Sequence, residues 1–289
     1  MPYRSIFRAG LFAGQVVIVT GGGSGIGRCT AHELASLGAT VALAGRKLEK
    51  VTAVAAEIAE DGGKAAAYAC DIREEEKVRD CVAAILAAHG RIDGLVNNAG
   101  GQFAAPLADI TQKGWETVVR TNLTGGFLMA RECYTQWMRA NGGAIVNMVA
   151  DMWLGMPSMG HSGAARAGMV NFTETAAYEW SPSNVRVNAV APGWIASSGM
   201  DQYPPEMHER IRKLKDYNPL GRMGLESEVS SAIVYLLSEG AAYISGATLR
   251  IDGAAPNAKI SRPLPPNPKP APIFDGFHRA VVPKVLREG

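Results

Sequence analysis

The sequence has 289 residues, of which 47% are hydrophobic and 19% are charged. This length fits one large globular domain or a domain with an appendage, and no run of about 18 apolar residues predicts a membrane span. The 29 basic and 27 acidic residues are nearly balanced, so the composition gives no reason to expect a nucleic acid as a partner.

Short β-branched runs alternate with amphipathic stretches from residue 16 onwards. The pattern predicts a strand over 16–20, a helix over 25–37 and a strand over 40–44. Further strands are predicted over 65–69, 92–97, 144–149, 185–191 and 247–251. Strands that alternate with helices at this spacing predict an α/β fold, a single Rossmann-type doubly wound parallel sheet with helices on both faces.

The alternation stops near residue 254, which divides the chain into a predicted nucleotide-binding domain over 1–253 and a tail over 254–289. The tail holds eight of the 16 prolines, and six basic residues against two acidic ones. This composition is typical of extended chain. Disorder is one interpretation. The other is docking on a neighbouring surface through apolar side chains, which are Ile273, Phe274, Phe277, Val281 and Val282.

A glycine-rich loop joins the first predicted strand to the first predicted helix. Its glycines fit the pattern GxxxGxG rather than the strict GxGxxG. At such a junction a phosphate can meet unpaired backbone N–H groups, so nucleotide binding is favoured over a purely structural turn. The loop residues predicted to bind the nucleotide are Gly21, Ser24, Gly25, Ile26 and Gly27.

The end of the second predicted strand indicates which nucleotide is bound. A carboxylate there would hold a ribose diol and repel a 2′-phosphate. The chain instead has Gly45, Arg46 and Lys47, and an arginine can hold a phosphate with two hydrogen bonds. Exposed charges at a helix start are the alternative, but cations are unfavourable there. NADP(H) is therefore predicted rather than NAD(H).

The sequence resembles the short-chain dehydrogenases/reductases over about residues 14–253. The resemblance rests on the glycine loop, on Asn97-Asn98-Ala99-Gly100, on Asn122, and on Asn188-Ala189-Val190-Ala191-Pro192-Gly193. It implies that Asp71 and Ile72 border the adenine and that Asn98, Ala99 and Gly100 line the cofactor groove. The residues that the resemblance places at the nicotinamide carboxamide and the neighbouring phosphate are Pro192, Gly193, Ile195 and Ser197.

The catalytic segment departs from the pattern of that family, which has a serine after the fifth strand and then Tyr-x-x-x-Lys. Here Ser162 takes the tyrosine position and Arg166 the lysine position, while the serine position falls on Val149 or Ala150. A serine hydroxyl without a base is a poor acid, and a guanidinium does not deprotonate in proteins. Arg166 can still hold the nicotinamide ribose. Such a site suits hydride addition to a conjugated C=C bond, which needs preorganised hydrogen-bond donors for a developing oxyanion.

A second resemblance is to the peroxisomal trans-2-enoyl-CoA reductases and, more loosely, the 2,4-dienoyl-CoA reductases. It rests on Gly100-Gly101-Gln102-Phe103, Lys113-Gly114-Trp115 and the segment 161–168. It implies NADPH-dependent reduction of an unsaturated acyl-CoA, with Asn122 and Ser162 donating to the thioester oxygen.

Two further polar residues lie near the catalytic segment. His161 is a candidate for proton transfer, but it could equally cap a helix or bond a partner subunit, and adjacent helical side chains point about 100° apart. Asp151 follows the fifth strand and could donate a proton only if burial raised its pKa. A turn-forming aspartate is the ordinary interpretation.

Residues 198–225 occupy the substrate-lid region that the family resemblance implies. Met200, Tyr203, Met207 and Leu214 could line an acyl groove, although methionines at helical spacing are often ordinary packing. Four cations could contact a CoA phosphate or form a solvated face: Arg210, Arg212, Lys213 and Lys215.

Two other functions stay open at this point. One is oxidation or reduction of an unsaturated or terpenoid alcohol, aldehyde or ketone, and the other is a non-catalytic NADP-binding subunit. We also expect a homotetramer assembled through the helices near 112–140 and 161–180. The four cysteines show no metal-site spacing. We therefore expect free thiols and no metal. The C-terminal Leu-Arg-Glu-Gly is not a peroxisomal targeting signal, and we expect a cytoplasmic location.

Overall fold

Seven parallel strands form the central sheet of the computed structural model, which describes residues 2–258 and 271–287. Their order is β3-β2-β1-β4-β5-β6-β9, and β7 and β8 pair separately. The strands are β1 Val16–Thr20, β2 Thr40–Gly45, β3 Lys64–Ala69, β4 Gly94–Asn97, β5 Gly143–Met148, β6 Val185–Pro192, β7 Ile195–Ala196, β8 Gly224–Leu225 and β9 Thr248–Ile251. The predicted doubly wound α/β fold is confirmed, and the predicted sheet strands begin and end within two residues of the observed ones.

Helices cover both faces of the sheet. They are α1 Gly25–Ser36, α2 Leu48–Glu60, α3 Glu75–His89, α4 Gln112–Val119, α5 Gly125–Cys133, α6 Arg139–Asn141, α7 Gly160–Glu179, α8 His208–Arg212 and α9 Glu226–Leu237. Two π-helical turns, Arg120–Thr124 and Tyr134–Met138, make α4 to α6 one continuous helical rod. Within the described residues, no helix combines the length and the apolar character that a membrane crossing needs.

The central strands are apolar on both faces because helices cover both sides. All five residues of β1 are buried, as expected for a strand inside a parallel sheet. One core cluster joins the sheet to α1, α2 and α9, with Leu34 and Ile233 among its members. The second joins it to α3, α5 and α7, with Ile85 and Met129 at its centre. All four cysteines are buried free thiols.

The strand order reverses between β1 and β4. At such a switch point the connections leave the carboxyl ends of the two strands in opposite directions, and a crevice opens between them. The loops that follow β1 and β4 carry the glycine-rich segment and Asn98-Ala99-Gly100. The fold therefore places both motifs at the mouth of one crevice.

The described part of the tail docks on the body of the protein. Phe277 is 2% exposed and packs with Tyr3 and Cys29, while the Arg28 guanidinium lies 5.0 Å from the centre of its ring. Docking is thus observed for residues 271–287. Residues 259–270 and 288–289 lie outside the described residues. The first of these ranges holds five of the eight prolines of the tail. Three of the apolar side chains expected to dock are instead more than half exposed: Ile273, Val281 and Val282.

Candidate active site

The glycine loop forms a cradle with no room for side chains. A Cβ on Gly27 would lie 2.4 Å from Asn98 Nδ2, and one on Gly21 would lie 2.9 Å from Ala99 Cα. Gly21 and Gly25 also have positive φ angles of 66° and 57°, which only glycine adopts without strain. This geometry brings the backbone close to a ligand at the N-terminus of α1, where unpaired N–H groups favour an anion.

Hydrogen bonds between the two crevice loops hold the cradle in shape. Thr20 Oγ1 accepts from the backbone N–H groups of Asn98 and Ala99, both at 3.0 Å. Asn98 Nδ2 donates to the Thr20 carbonyl at 3.0 Å. Ser24 is the N-cap residue of α1, and its hydroxyl makes no capping hydrogen bond within the part of the chain that the structure describes. That hydroxyl and the first N–H groups of α1 are therefore available to a phosphate.

A cavity of about 250 Å³ lies at the end of the crevice where the family resemblance places the adenine, here called the adenine end. Its wall includes Arg46, Asp71, Ile72 and Arg73. Arg73 donates to Asp71 through Nε at 2.9 Å, and this bond, aided by the positive charge of Arg46, lowers the pKa of Asp71 to about 2. Lys47 is the exposed N-cap residue of α2 and lies outside this wall. The second cation at the adenine end is therefore Arg73, which sequence reasoning missed.

A larger cavity of about 660 Å³ continues from the adenine end. Ile26, Asn98, Gly100 and Ser197 line both spaces, so the two form one groove across the switch point. Other predicted residues in the wall of the larger cavity are Arg166, Pro192, Gly193 and Ile195.

Asn122 fixes the loop that follows β4, and Arg166 lies against the same loop. Asn122 is buried, accepts from the Gly101 N–H through Oδ1 and donates to the Gly101 carbonyl through Nδ2, both at 2.9 Å. Arg166 Nη1 donates to the Met148 carbonyl at 2.6 Å. A Cβ on Gly100 would lie 2.7 Å from Arg166 Nη2. Both polar atoms of the Asn122 amide thus bond the Gly101 backbone and position it in the cavity wall.

The Arg166 side chain is a buried cation that includes an unpaired buried donor. Its Nε is buried and has no partner within residues 2–258 and 271–287. Burial lowers the pKa of Arg166 to about 10, which still leaves it charged near neutral pH. A buried charge with an open donor beside a cavity fits a ligand that supplies an acceptor. Together with the glycine cradle, this observation shows that the groove fits a dinucleotide.

Ser162 is fully buried and does not line the large cavity directly. Its hydroxyl donates to Gln102 Oε1 at 2.7 Å, and Gln102 Nε2 donates to the Tyr203 hydroxyl at 3.1 Å. Gln102 and Tyr203 both line the cavity. A hydrogen-bonded chain therefore runs from Ser162 to the cavity wall. Sequence reasoning treated Gln102 only as part of a motif and Tyr203 only as an apolar surface.

His161 lies behind the same wall. Its Nδ1 accepts from the Ser162 backbone N–H at 2.8 Å, and its ring meets the Phe103 ring edge to face at 4.4 Å. Nε2 is buried and has no partner among the residues that the structure describes. The ring thus accepts a hydrogen bond from one backbone N–H in the first turn of α7, whose N-cap residue is Met159.

Asp151 follows β5, directly after Ala150 in the cavity wall. Burial raises the pKa of Asp151, and the nearby negative charge of Asp252 raises it further, while Arg250 opposes the shift. Asp252 is itself held by Arg250 Nε at 2.8 Å. Asp151 therefore meets the electrostatic condition for a proton donor, but its side chain lies outside the wall of the 660 Å³ cavity.

The lid residues line a narrow apolar cavity of about 40 Å³ beside the large one. Trp194, Met200 and Tyr203 belong to both walls. Met207 and Leu214 continue the apolar lining, and its use as an acyl groove stays a prediction. Of the cations expected near a CoA phosphate, Arg210 lines this cavity, Arg212 donates to the Val285 carbonyl and Lys213 pairs with Glu209.

Comparison with known proteins identifies the family. A family model described as Enoyl-(Acyl carrier protein) reductase matches residues 21–254. The chain belongs to the short-chain dehydrogenase/reductase family. Members of this family are oxidoreductases that use NAD(P)H, which agrees with the groove and confirms the resemblance stated from the motifs.

Individual short-chain dehydrogenases/reductases resemble the chain over most of its length. The peroxisomal 2,4-dienoyl-CoA reductase of Danio rerio is 34% identical over 255 residues, which cover 88% of this chain and 85% of that protein. A citronellol catabolism dehydrogenase of Pseudomonas aeruginosa is 63% identical, with a TM-score of 0.80 over 88% of this chain and 99% of that one. A candidate NAD(P)-dependent gluconate 5-dehydrogenase of Beutenbergia cavernae with bound NADP at low occupancy is 33% identical, with a TM-score of 0.80 over 85% and 98% of the two chains.

Proposed function

We propose that the protein is an NADP(H)-dependent reductase of a conjugated C=C bond in a 2-enoyl or 2,4-dienoyl acyl-CoA. The observation that carries the proposal is the pair Ser162 and Arg166, one turn apart on α7 where the family pattern has tyrosine and lysine. The Ser162 hydroxyl is committed to Gln102, and Arg166 stays charged. Ser162 orients Gln102 and Arg166 supplies a positive charge, but the pair lacks the acid that interconversion of an alcohol and a ketone needs.

When bound, NADPH supplies a hydride to the β-carbon of an enoyl group or to the δ-carbon of a dienoyl group. Negative charge then develops on the thioester oxygen, and donors fixed in advance stabilise it most effectively. Ser162 donates to Gln102, and Gln102 donates to Tyr203, which leaves the Tyr203 hydrogen for the substrate oxygen. In this proposal Ser162 and Asn122 act by positioning, since Asn122 holds Gly101.

The proton that completes the reduction is assigned in this proposal to Asp151, which would deliver it through water because its side chain lies outside the cavity wall. Burial and Asp252 raise the pKa of its carboxyl, so it keeps its proton to higher pH than an ordinary aspartate. Activity should then fall as pH rises through the folded-state pKa of Asp151. Asp151→Asn should lower kcat and remove that alkaline limb of the pH profile. An unchanged limb in Asp151→Asn would exclude this residue as the donor.

NADP(H) is the proposed cofactor because Arg46 and Arg73 face the adenine-end cavity, and because NADP is bound in one relative. The Arg46 guanidinium can pair with a 2′-phosphate, whereas a ribose diol would leave its charge unpaired; the Arg73 charge is already paired with Asp71. Besides NADP(H), the proposed partners are an acyl-CoA and further copies of the chain in a homotetramer.

The 63% identity to a citronellol catabolism dehydrogenase favours a second candidate function. In that case the substrate is a branched unsaturated alcohol or aldehyde, and the apolar cavity holds its hydrocarbon chain. The same groove would bind the cofactor, but the oxygen would need a proton donor in direct contact. Tyr203 is the phenol in the wall that could supply it.

A substrate panel separates these functions. Crotonyl-CoA, 2-decenoyl-CoA, 2,4-decadienoyl-CoA and geranyl-CoA are incubated with NADPH, and citronellol is incubated with NADP⁺, while absorbance of the reduced cofactor is followed. Turnover confined to the thioesters supports the proposal, and turnover confined to citronellol supports the second candidate. Tight NADPH binding without any turnover would indicate a non-catalytic subunit.

A further inference from the structure

The end of the chain returns to the substrate lid. Residues 271–287, here called the strap, finish in a short turn at Lys284–Leu286 that packs against α8 and against the turn at Ser198–Gln202. Val285 in this turn is 1% exposed. It belongs to one apolar cluster with Met200, Ile211 and Leu214. The strap therefore contributes a core side chain to the lid.

Hydrogen bonds fix the position of Val285 on both sides of its backbone. Its N–H donates to Asp201 Oδ1 at 3.1 Å. Its carbonyl accepts from Arg212 Nη1 at 3.5 Å. The two partners lie on separate turns of the lid, so the strap joins these turns to each other.

The side chains that contact the strap also form the wall of the narrow cavity. Met200, Ile211 and Leu214 line this 40 Å³ space, and Val285 does not. Val285 thus supports the wall from outside. Because packed side chains shift little unless space opens behind them, the volume behind the wall limits how deep a hydrocarbon chain can enter.

The other end of the strap is anchored on the layer that holds the cofactor. Phe277 packs beside α1, and Arg279 pairs with Asp61 at 3.0 Å, just beyond the end of α2. His278 Nε2 lies 2.9 Å from the same carboxylate. The strap therefore links the lid to α1 and α2 and cannot move freely with the lid.

We infer that the strap sets the depth of the acyl cavity and that Val285 is a specificity-determining residue for acyl chain length. The inference rests on the proposed function, because it requires a substrate with a hydrocarbon chain. Val285 acts through Met200, Ile211 and Leu214 and contacts no substrate itself. Removing its two methyl groups opens space behind the wall, and a larger side chain closes it.

Val285→Ala is the test, and Val282→Ala is the matched control. Val282 lies in the same strap but is 58% exposed. The ratio of kcat/KM for 2-dodecenoyl-CoA to that for crotonyl-CoA should rise roughly tenfold in Val285→Ala, a discrimination that about one methylene gives in an apolar pocket. Val285→Phe should lower the ratio. Val282→Ala should leave it unchanged.

Hydrogen exchange of the unliganded protein provides a readout that needs no substrate. Amides of residues 198–217 should exchange several-fold faster in Val285→Ala and in Asp201→Ala than in Val282→Ala, while residues 16–45 should be unaffected. Equal exchange in Val285→Ala and Val282→Ala, or an unchanged chain-length ratio, would overturn the inference. Absence of thioester turnover by the unmodified enzyme would instead contradict the proposed function, and the exchange result would still decide whether the strap holds the lid.

Discussion

Glu226 offers a quantitative test of the electrostatics beneath the glycine loop. It is the first residue of α9, and its Oε1 lies 3.9 Å from where a Cβ on Gly25 would be. Burial raises the pKa of Glu226 to about 7, with the charge of Arg28 opposing the rise. Glu226→Gln keeps the shape of the side chain and removes the charge.

The expected magnitude follows from linkage. The folded protein binds this proton more tightly than the unfolded chain does, so the stability of the unmodified protein falls as pH rises from about 4.5 to about 7. At about 1.4 kcal/mol for each pH unit, the full loss is about 3 kcal/mol. Glu226→Gln escapes this loss. We expect it to match the unmodified protein near pH 4.5 and to exceed its free energy of unfolding by about 3 kcal/mol above pH 8.

Urea unfolding followed by tryptophan fluorescence, at fixed protein concentration between pH 5 and pH 9, measures the difference. Glu228→Gln is a control of opposite sign. Burial acts to raise the pKa of Glu228, but hydrogen bonds from Arg222 and the Leu225 N–H hold it below its usual range. That variant should lose stability at neutral pH and approach the unmodified protein in acid. Parallel stability curves for Glu226→Gln and the unmodified protein would refute the reasoning.

Three further predictions concern the cofactor, the site and assembly. Arg46→Ala should weaken NADPH binding by about 1.5 to 3 kcal/mol and leave NADH binding nearly unchanged in fluorescence titrations; equal affinities of the unmodified protein for both cofactors would contradict the NADP assignment. Ser162→Ala should lower kcat by roughly 10² to 10³, the cost of disturbing one oxyanion donor, with no change in NADPH affinity, and a full-rate variant would remove Ser162 from the site. Light scattering should give about four times the chain mass of 30.5 kDa, whereas a monomer at micromolar concentration would exclude the tetramer.

The strands of the sheet and the position of the crevice could be predicted from the sequence. Strands such as β1 are apolar over their whole length, and the glycines of the loop have a spacing that one local geometry explains. Gly21 and Gly27 are required by contacts with Asn98 and Ala99, which come from the neighbouring motif. Local pattern and tertiary contact agree at these positions, so the sequence predicts the shape of the loop, while nucleotide binding at these residues stays a prediction.

The polar chain of the cavity wall could not be predicted in the same way. Ser162 and Gln102 are 60 residues apart, and their hydrogen bond depends on how the loop after β4 folds over α7. Arg73 likewise reaches the adenine end because Asp71 holds its guanidinium. The periodicity of apolar residues along a sequence does not predict such pairings between polar side chains. The GxxxGxG pattern predicts where the crevice lies, but the polar side chains in its wall depend on tertiary contacts.

The tail shows the same limit for apolar residues. Phe277 and Val285 are buried, whereas Val281 and Val282 are exposed, although all four are apolar residues of one proline-containing segment. Burial of Val285 depends on the lid cluster, and burial of Phe277 depends on Tyr3 and Cys29. Composition alone cannot choose among them, because the surfaces that accept them are distant in sequence.

The destination of the hydride is the most direct test of the proposed reaction. The enzyme is incubated with 2,4-decadienoyl-CoA and NADPH that carries deuterium at the transferred position, and the products are analysed by mass spectrometry. The proposal predicts one deuterium on a chain carbon of a product that has lost one C=C bond and keeps an intact thioester, whether the remaining C=C bond stays in place or shifts. An unsaturated aldehyde or ketone is offered in the same mixture. Deuterium on the carbinol carbon formed from it would contradict the proposal if the dienoyl thioester stays unlabelled.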